Sequence, residues 1–184
     1  IETTGNQITV QGGKPVITLH SVKVNGDCAL RIRDEANVTL ILDGENSMCS
    51  KKSSCVYVHD NSYLTITSIQ GDGSSAGTLR AEGNKSGEIN HAGIRGGSIT
   101  VKGGTVIAKG EYEAAGIGKD AREQNTNFSI SIEGGTVEAD GGWGGAGIGS
   151  AHWAGGNVNI NISGGTVKAV GGQGSAGIGI GYDS

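Results

Sequence analysis

The residues best suited to chemistry in this chain recur at fixed spacing. Tyr112, Trp143 and Gln173 each stand three residues before the alanine of an AGIG tetrapeptide, at steps of 31 and 30. The chain has only two Trp and four Tyr, so two of them in one column is a marked concentration. Flat aromatic faces in series suit the apolar faces of sugar rings, and nearby polar groups can then fix the hydroxyls. Trp153 and His152, within SAHWAGGN, flank the same edge, and Glu111, Asp140 and Arg122 are its polar neighbours. These seven residues (Tyr112, Trp143, Trp153, His152, Glu111, Asp140 and Arg122) are the candidate ligand-binding set. The competing role for Trp143 is to pack over neighbouring glycines and shield backbone.

Catalysis and metal binding find less support. Glycoside hydrolysis needs two carboxylates about 5–9.5 Å apart across one bond. Glu111, Glu113 and Asp140 are the only group that invites the comparison, with Lys109 nearby. The four histidines, His20, His59, His91 and His152, are dispersed and form no metal or nucleophile motif. GGWGGAGIG (141–149) matches a calcium-binding nonapeptide, G-G-x-G-x-D-x-U-x, except that Ala146 stands where the aspartate ligand belongs. Ca²⁺ needs several hard oxygen ligands, which the alanines at 115, 146 and 176 cannot supply. No cofactor is expected, and Ca²⁺ held by loop groups around QGDGS (70–74) is the one alternative. Cys28, Cys49 and Cys55 match no zinc spacing. Cys49 and Cys55 could close the loop SKKSS, or Cys28 and Cys55 could stack as buried thiols.

The elements that position these residues are repeats. SITVKGGTVIAKG (98–110), SISIEGGTVEADG (129–141) and NINISGGTVKAVG (159–171) align, and each unit then reaches AGIG, at Ala115, Ala146 and Ala176. An imperfect fourth copy, AGIR, begins at Ala92. Weaker copies lie upstream in VTLILDG (38–44), LTITSIQG (64–71), GTLRAEG (77–83), CALRI (28–32) and CVYVH (55–59). Alternation points Ile99/Val101, Ile130/Ile132 and Ile160/Ile162 inward on a first strand, and Val106/Ala108, Val137/Ala139 and Val167/Ala169 inward on a second. The glycine pairs 103–104, 134–135 and 164–165 turn the corner between them. A constant period near 30 with three short strands predicts an all-β parallel β-helix, taken as right-handed, of roughly six coils. Residues 1–27 are expected to form a cap or first coil, 28–97 irregular coils, and 98–184 the regular repeats of a single domain. Outward on the second strand, Glu82–Lys109–Asp140–Val170 and Arg80–Ile107–Glu138–Lys168 read as a solvated face.

Glycine is far above its usual share at 36 residues, but a single proline and the lack of a G-X-Y period exclude collagen. The net charge of −4, with no basic run, excludes a nucleic-acid footprint. No apolar stretch is long enough to span a membrane, and no signal peptide is visible. The pattern GG-[NS]-I-T-[VI]-x-GG-T-V-x-A-x-G-G-x-G-x-AGIG, carried by 98–118, 128–149 and 157–179, resembles the glycine-rich AGIG-repeat domains of cell-surface and secreted proteins of Gram-positive bacteria. That resemblance implies an extracellular module of a larger, multidomain parent, carbohydrate-binding-like or adhesin-like. Its partner would be a glycan or a host or cell-surface glycoprotein. The runner-up is a structural spacer or protein-binding segment, and a polysaccharide-degrading enzyme comes third.

Overall fold

In the computed structural model, residues 2–3, 7–69, 77–86 and 89–184 are described. The QGDGS segment proposed for Ca²⁺ lies outside them. Three parallel sheets run the length of the molecule, and each coil contributes one strand to each. The first face stacks Val16–His20, Asn37–Asp43, Tyr63–Ser68, Ser98–Val101, Phe128–Ile132 and Val158–Ile162. The second stacks Lys23–Gly26, Glu45–Ser50, Thr78–Glu82, Thr105–Lys109, Thr136–Asp140 and Thr166–Val170. The third face has one rung more, running from Ile8–Gln11 through Leu30–Arg33, Val56–Val58, Ile94–Arg95, Ile117–Gly118 and Ile148–Gly149 to Ile178–Gly179. This is the three-strand-per-coil parallel β-helix the repeat predicts. Six complete coils follow an opening third-face strand.

Alternation within each strand sets the core. Ile99, Ile130 and Ile160 share one column and Val101, Ile132 and Ile162 the next. Val106, Val137 and Val167 meet them from the second face. Fully removing an Ile, Leu or Val from water stabilises the fold by about 1.5–3 kcal/mol, and the columns repeat that gain from coil to coil up to the last, where Ile162 is 43% exposed. At the corner between the first two faces Gly104, Gly135 and Gly165 adopt φ of 81°, 77° and 82°, a conformation that excludes most side chains. The outward columns Glu82–Lys109–Asp140–Val170 and Arg80–Ile107–Glu138–Lys168 are in register as expected.

Two early third-face registers differ from an alignment that starts these strands at 28, 55 and 91. Val56 pairs with Ile94, two residues beyond that alignment, and the cysteine register is shifted as well. Leu30 pairs with Val56, so Ala29 lies level with Cys55 and Cys28 one residue earlier. The two thiols are buried but do not share a column. Cys28 Sγ donates to Leu30 O at 3.4 Å, and Cys55 Sγ to Met48 O at 2.9 Å. All three cysteines are free, which also removes the Cys49–Cys55 closure. Burial pushes both the Cys28 and Cys55 thiols above their ordinary pKa.

Candidate functional site

The third-face strands are short because the chain doubles back around them. Ala115 N–H bonds to Lys119 O, Ala146 N–H to Ser150 O, and Ala176 N–H to Ile180 O, so each AGIG closes a tight loop. Tight turns precede these loops, with Ala114 N–H to Glu111 O, Gly145 N–H to Gly142 O and Ser175 N–H to Gly172 O. The residues before and after AGIG therefore come together on one edge. The alanine positions are fully enclosed at Ala115 and Ala146, where any larger group would collide. The last glycine of the motif has a second reason. A Cβ on Gly118 would lie 1.9 Å from Gly149 O, and one on Gly149 the same distance from Gly179 O.

An aromatic cluster covers this edge. Tyr112 and Trp143 stack face to face at 5.5 Å with 12° between planes. Trp143 Nε1 donates to Gln173 Oε1 at 3.2 Å, which joins all three members of the sequence column. The His152 ring meets Trp143 edge-on at 5.3 Å and stacks on Trp153 at 4.5 Å. Tyr182 leans on Trp143 at 5.7 Å and on His152 at 5.5 Å. The Arg122 guanidinium lies over Trp153, 5.4 Å from the ring centroid, a cation–π arrangement. Tyr112 is 53% exposed, Trp153 49% and Tyr182 42%, whereas Trp143 is half-buried and His152 buried. The outer surface of the cluster thus belongs to Tyr112, Trp153 and Tyr182. Trp143 sits between its neighbours and has one ring face turned to Tyr112.

Beneath the rings lies a carboxylate whose spacing in the sequence drew attention only as a possible catalytic acid. Glu113 is 8% exposed. Its Oε2 accepts from Asn90 Nδ2 at 3.0 Å and lies 3.6 Å from Arg122 Nη2, while Oε1 meets His152 Nδ1 at 3.0 Å. Glu113 therefore anchors the two side chains that orient Trp153. Glu111 is half-buried, and its Oε1 accepts the Tyr112 N–H at 3.2 Å. Asp140 ends a second-face strand, level with Lys109 and Val170. Of the seven candidate residues, the structure brings Tyr112, Trp143, His152, Trp153 and Arg122 into mutual contact. Glu111 borders them, and Asp140 stands on the neighbouring face.

A second buried network extends the support toward earlier coils. Asp120 accepts from Ser54 Oγ and the Ala92 N–H, each at 2.7 Å, and meets His91 Nδ1 at 2.6 Å. Arg95 lies 3.3 Å from Asp120 and grips Glu123 through two bonds of 3.0 and 2.8 Å. The neighbouring carboxylates hold the Arg95 guanidinium protonated more firmly than usual, against its own desolvation. Lys119 is fully enclosed, and its ammonium donates to Thr126 O at 3.0 Å and to Gly155 O. Burial pushes the Lys119 ammonium below its ordinary pKa. These contacts give the insertion KDAREQNTN (119–127) a function, since Lys119 pins it to the loop of the next coil.

Sequence reasoning missed Tyr182 and these networks. Tyr182 carried a signal, for it follows Gly179 of AGIG by three residues as His152 follows Gly149. The networks did not, because their members come from non-repeating positions.

A three-faced parallel coil of this kind defines a β-helix protein. Three of its segments, residues 99–118, 130–152 and 160–181, match the model of the family described as Beta helix repeat. No curated protein and no solved structure matches the chain. The matched segments end at or beyond each AGIG and so include Tyr112, Trp143 and His152.

Proposed function

We propose that the chain is a non-catalytic, extracellular binding module of a bacterial surface protein, engaging a glycan through its aromatic edge. One observation carries this reading. Four of the chain's seven Phe, Tyr and Trp residues gather at a single edge, and three of them keep wide exposure. Exposed aromatic clusters of this size on an otherwise polar surface are characteristic of recognition sites. Tyr112 and Trp153 supply the surfaces for sugar rings, Arg122 and Glu111 border them with polar groups, and His152 and Glu113 hold the arrangement from below. The likeness of the AGIG pattern to Gram-positive surface proteins supports the extracellular setting.

The spacer or protein-binding reading draws on the first face, where Ser98–Ser129–Asn159 and Thr100–Ser131–Asn161 form outward polar columns of mixed residue type. Hydrolysis is disfavoured because Glu113 already accepts from several donors and faces inward.

A glycan array with the wild type, Trp153→Ala and Tyr112→Ala separates these readings. Retention by the wild type, weakened about tenfold (~1.4 kcal/mol) in either variant, is expected. No retained glycan would reject the proposal, and retention unaltered in both variants would move the site elsewhere. Incubation with neutral and acidic polysaccharides should yield no new reducing ends or unsaturated products.

A further inference from the structure

Two concavities lie at the corner where the third face passes into the first. One, of about 290 Å³, is lined by Arg33, Asp34, Glu35, His59, Asp60 and Asn61 among others. The second, of about 320 Å³, is lined by Asp60, Asn61, Tyr63, Ser98, Asn125 and Asn127. They share Asp60 and Asn61, so they are two lobes of one groove. Its walls come from the turns of four successive coils, and it therefore runs along the solenoid axis. Joined, the lobes fall within the volume range of small-ligand sites.

The lining sets the ligand chemistry. Asn61, Asn125 and Asn127 offer amides, Asp34, Glu35 and Asp60 offer carboxylates, and Ser98 offers a hydroxyl. Asn127 uses its side-chain oxygen to accept the Asn157 N–H at 3.0 Å, which leaves its amide nitrogen to donate. Tyr63, 49% exposed, supplies the one broad apolar surface of the second lobe. The groove has no aliphatic side chain in its wall to seat a peptide anchor. The carboxylates of Asp34, Glu35 and Asp60 are offset by Arg33, 3.7 Å from Asp34 Oδ2, and by Arg31 and Arg95 acting on His59, so the charges balance and a neutral ligand fits better than an ion. Among the described residues, no three His, Cys, Asp or Glu groups converge to hold a metal ion.

The geometry is also held in advance. Ala36 N–H bonds to Arg33 O at 3.3 Å and Ser62 N–H to His59 O at 3.1 Å, closing the turns that carry the first lobe. Asp34, Glu35, Asn61 and Asn125 adopt left-handed φ of 60°, 60°, 62° and 60°. Such a conformation is uncommon outside glycine and costs most for Glu35. Turns fixed in this way present their side chains with little entropy left to lose on binding.

We propose that this groove is a second glycan site, one that takes a linear neutral oligosaccharide along the solenoid axis. One sugar ring lies on Tyr63, and its neighbours hydrogen-bond to Asn61, Asn125, Asn127 and Asp60. The site shares the reading of the chain as a glycan-binding module but does not depend on the aromatic edge. Calorimetric titration with cello-, xylo-, manno- and maltohexaose, and with trigalacturonate as the acidic arm, tests it. Variants are Tyr63→Ala, Asn61→Gly (which keeps the left-handed backbone) and Trp153→Ala, each checked for fold by circular dichroism.

In a Trp153→Ala background, which disables the aromatic edge, at least one neutral hexasaccharide should still bind, and adding Tyr63→Ala or Asn61→Gly should weaken it about tenfold or more, with EDTA having no effect. Failure of every neutral hexasaccharide to bind overturns the proposal. Binding that depends only on Trp153 also overturns it, while leaving the aromatic edge as the glycan site. Loss of binding in EDTA, or tighter binding of trigalacturonate, would replace a direct neutral-sugar site with another chemistry and likewise overturn it.

Discussion

Glu113 decides whether the aromatic edge keeps its shape. Enclosed beneath the rings, it accepts from Asn90 Nδ2 and meets both His152 and Arg122, the two groups that contact Trp153. Removing one partner of a buried charged arrangement leaves the others unsatisfied, which costs about 3–5 kcal/mol. Glu113→Ala should therefore lose stability in that range in urea denaturation, and Glu113→Gln about 1.5–3 kcal/mol. Both tryptophans belong to the cluster, so selectively excited tryptophan fluorescence reports on it, and that emission should shift to the red in either variant. Unaltered emission with lowered stability would place Glu113 in the fold and outside the site. His59 makes a second residue-level case. Burial first, and then Arg31, Arg95 and Arg33, push its imidazole below the ordinary value. The folded state thus disfavours the proton, and stability is full above the unfolded pKa near 6.5 and declines as pH falls toward the lowered folded value. Urea midpoints should drop between pH 7.5 and pH 5, and His59→Gln should remove part of that drop. An equal drop in the variant would assign the acid sensitivity to other groups.

At the scale of the element, the third-face strand depends on glycine for contact between backbones. Gly149 combines φ of 137° with a Cβ position that would lie only 1.9 Å from Gly179 O, so any side chain there must separate two coils. Gly149→Ala should destabilise by about 3 kcal/mol or more, read as a lowered thermal midpoint, since a strained φ alone costs about 1–3 kcal/mol. A variant as stable as wild type would mean the coils separate freely there. This element also shows what a sequence can and cannot disclose. The first and second faces were legible because Ile, Val and Ala alternate with polar residues and GGTV marks each corner at a near-constant period. Conformational necessity writes itself into glycine, and burial writes itself into alternation. The early third-face rungs were less legible. Without AGIG, nothing local fixed the register of CALRI against CVYVH, and the alignment by cysteine was one residue off. The Tyr112–Trp143–Gln173 column followed from the period, whereas Tyr182 went unrecognised although it stands at the same offset from AGIG as His152. Asp120, Arg95, His91 and Ser54 could not be paired in advance, because they meet across coils from loops of unequal length.

Across the whole molecule, each strand of the three faces pairs only with the strands of adjacent coils, so stability is largely a sum of coil and interface contributions, and protection should follow local burial. The gradient is steep toward the last coil. Ile132 and Ile148 are fully buried, whereas their partners in the next rung, Ile162 and Ile178, are 43% and 45% exposed. Val167 and Ala169 are likewise only half-buried, while Val137 and Ala139 beside them are enclosed. In the 184-residue chain the last coil thus has apolar packing on one side only, and its opening exposes little that is not already wet. Local opening of such a segment requires less free energy than global unfolding. In hydrogen–deuterium exchange on the 184-residue chain, amides of Val158–Ile162 and Thr166–Val170 should exchange at least about tenfold faster than those of Phe128–Ile132 and Thr136–Asp140, a difference of ~1.4 kcal/mol. Tyr182 and Gln173 belong to this last coil, so the outer margin of the aromatic edge should loosen with it, while Tyr112 and Glu113 remain fixed by the coils behind them. Uniform protection across both coils would instead show that the solenoid opens as one cooperative unit, with the aromatic edge as rigid at Tyr182 as at Tyr112.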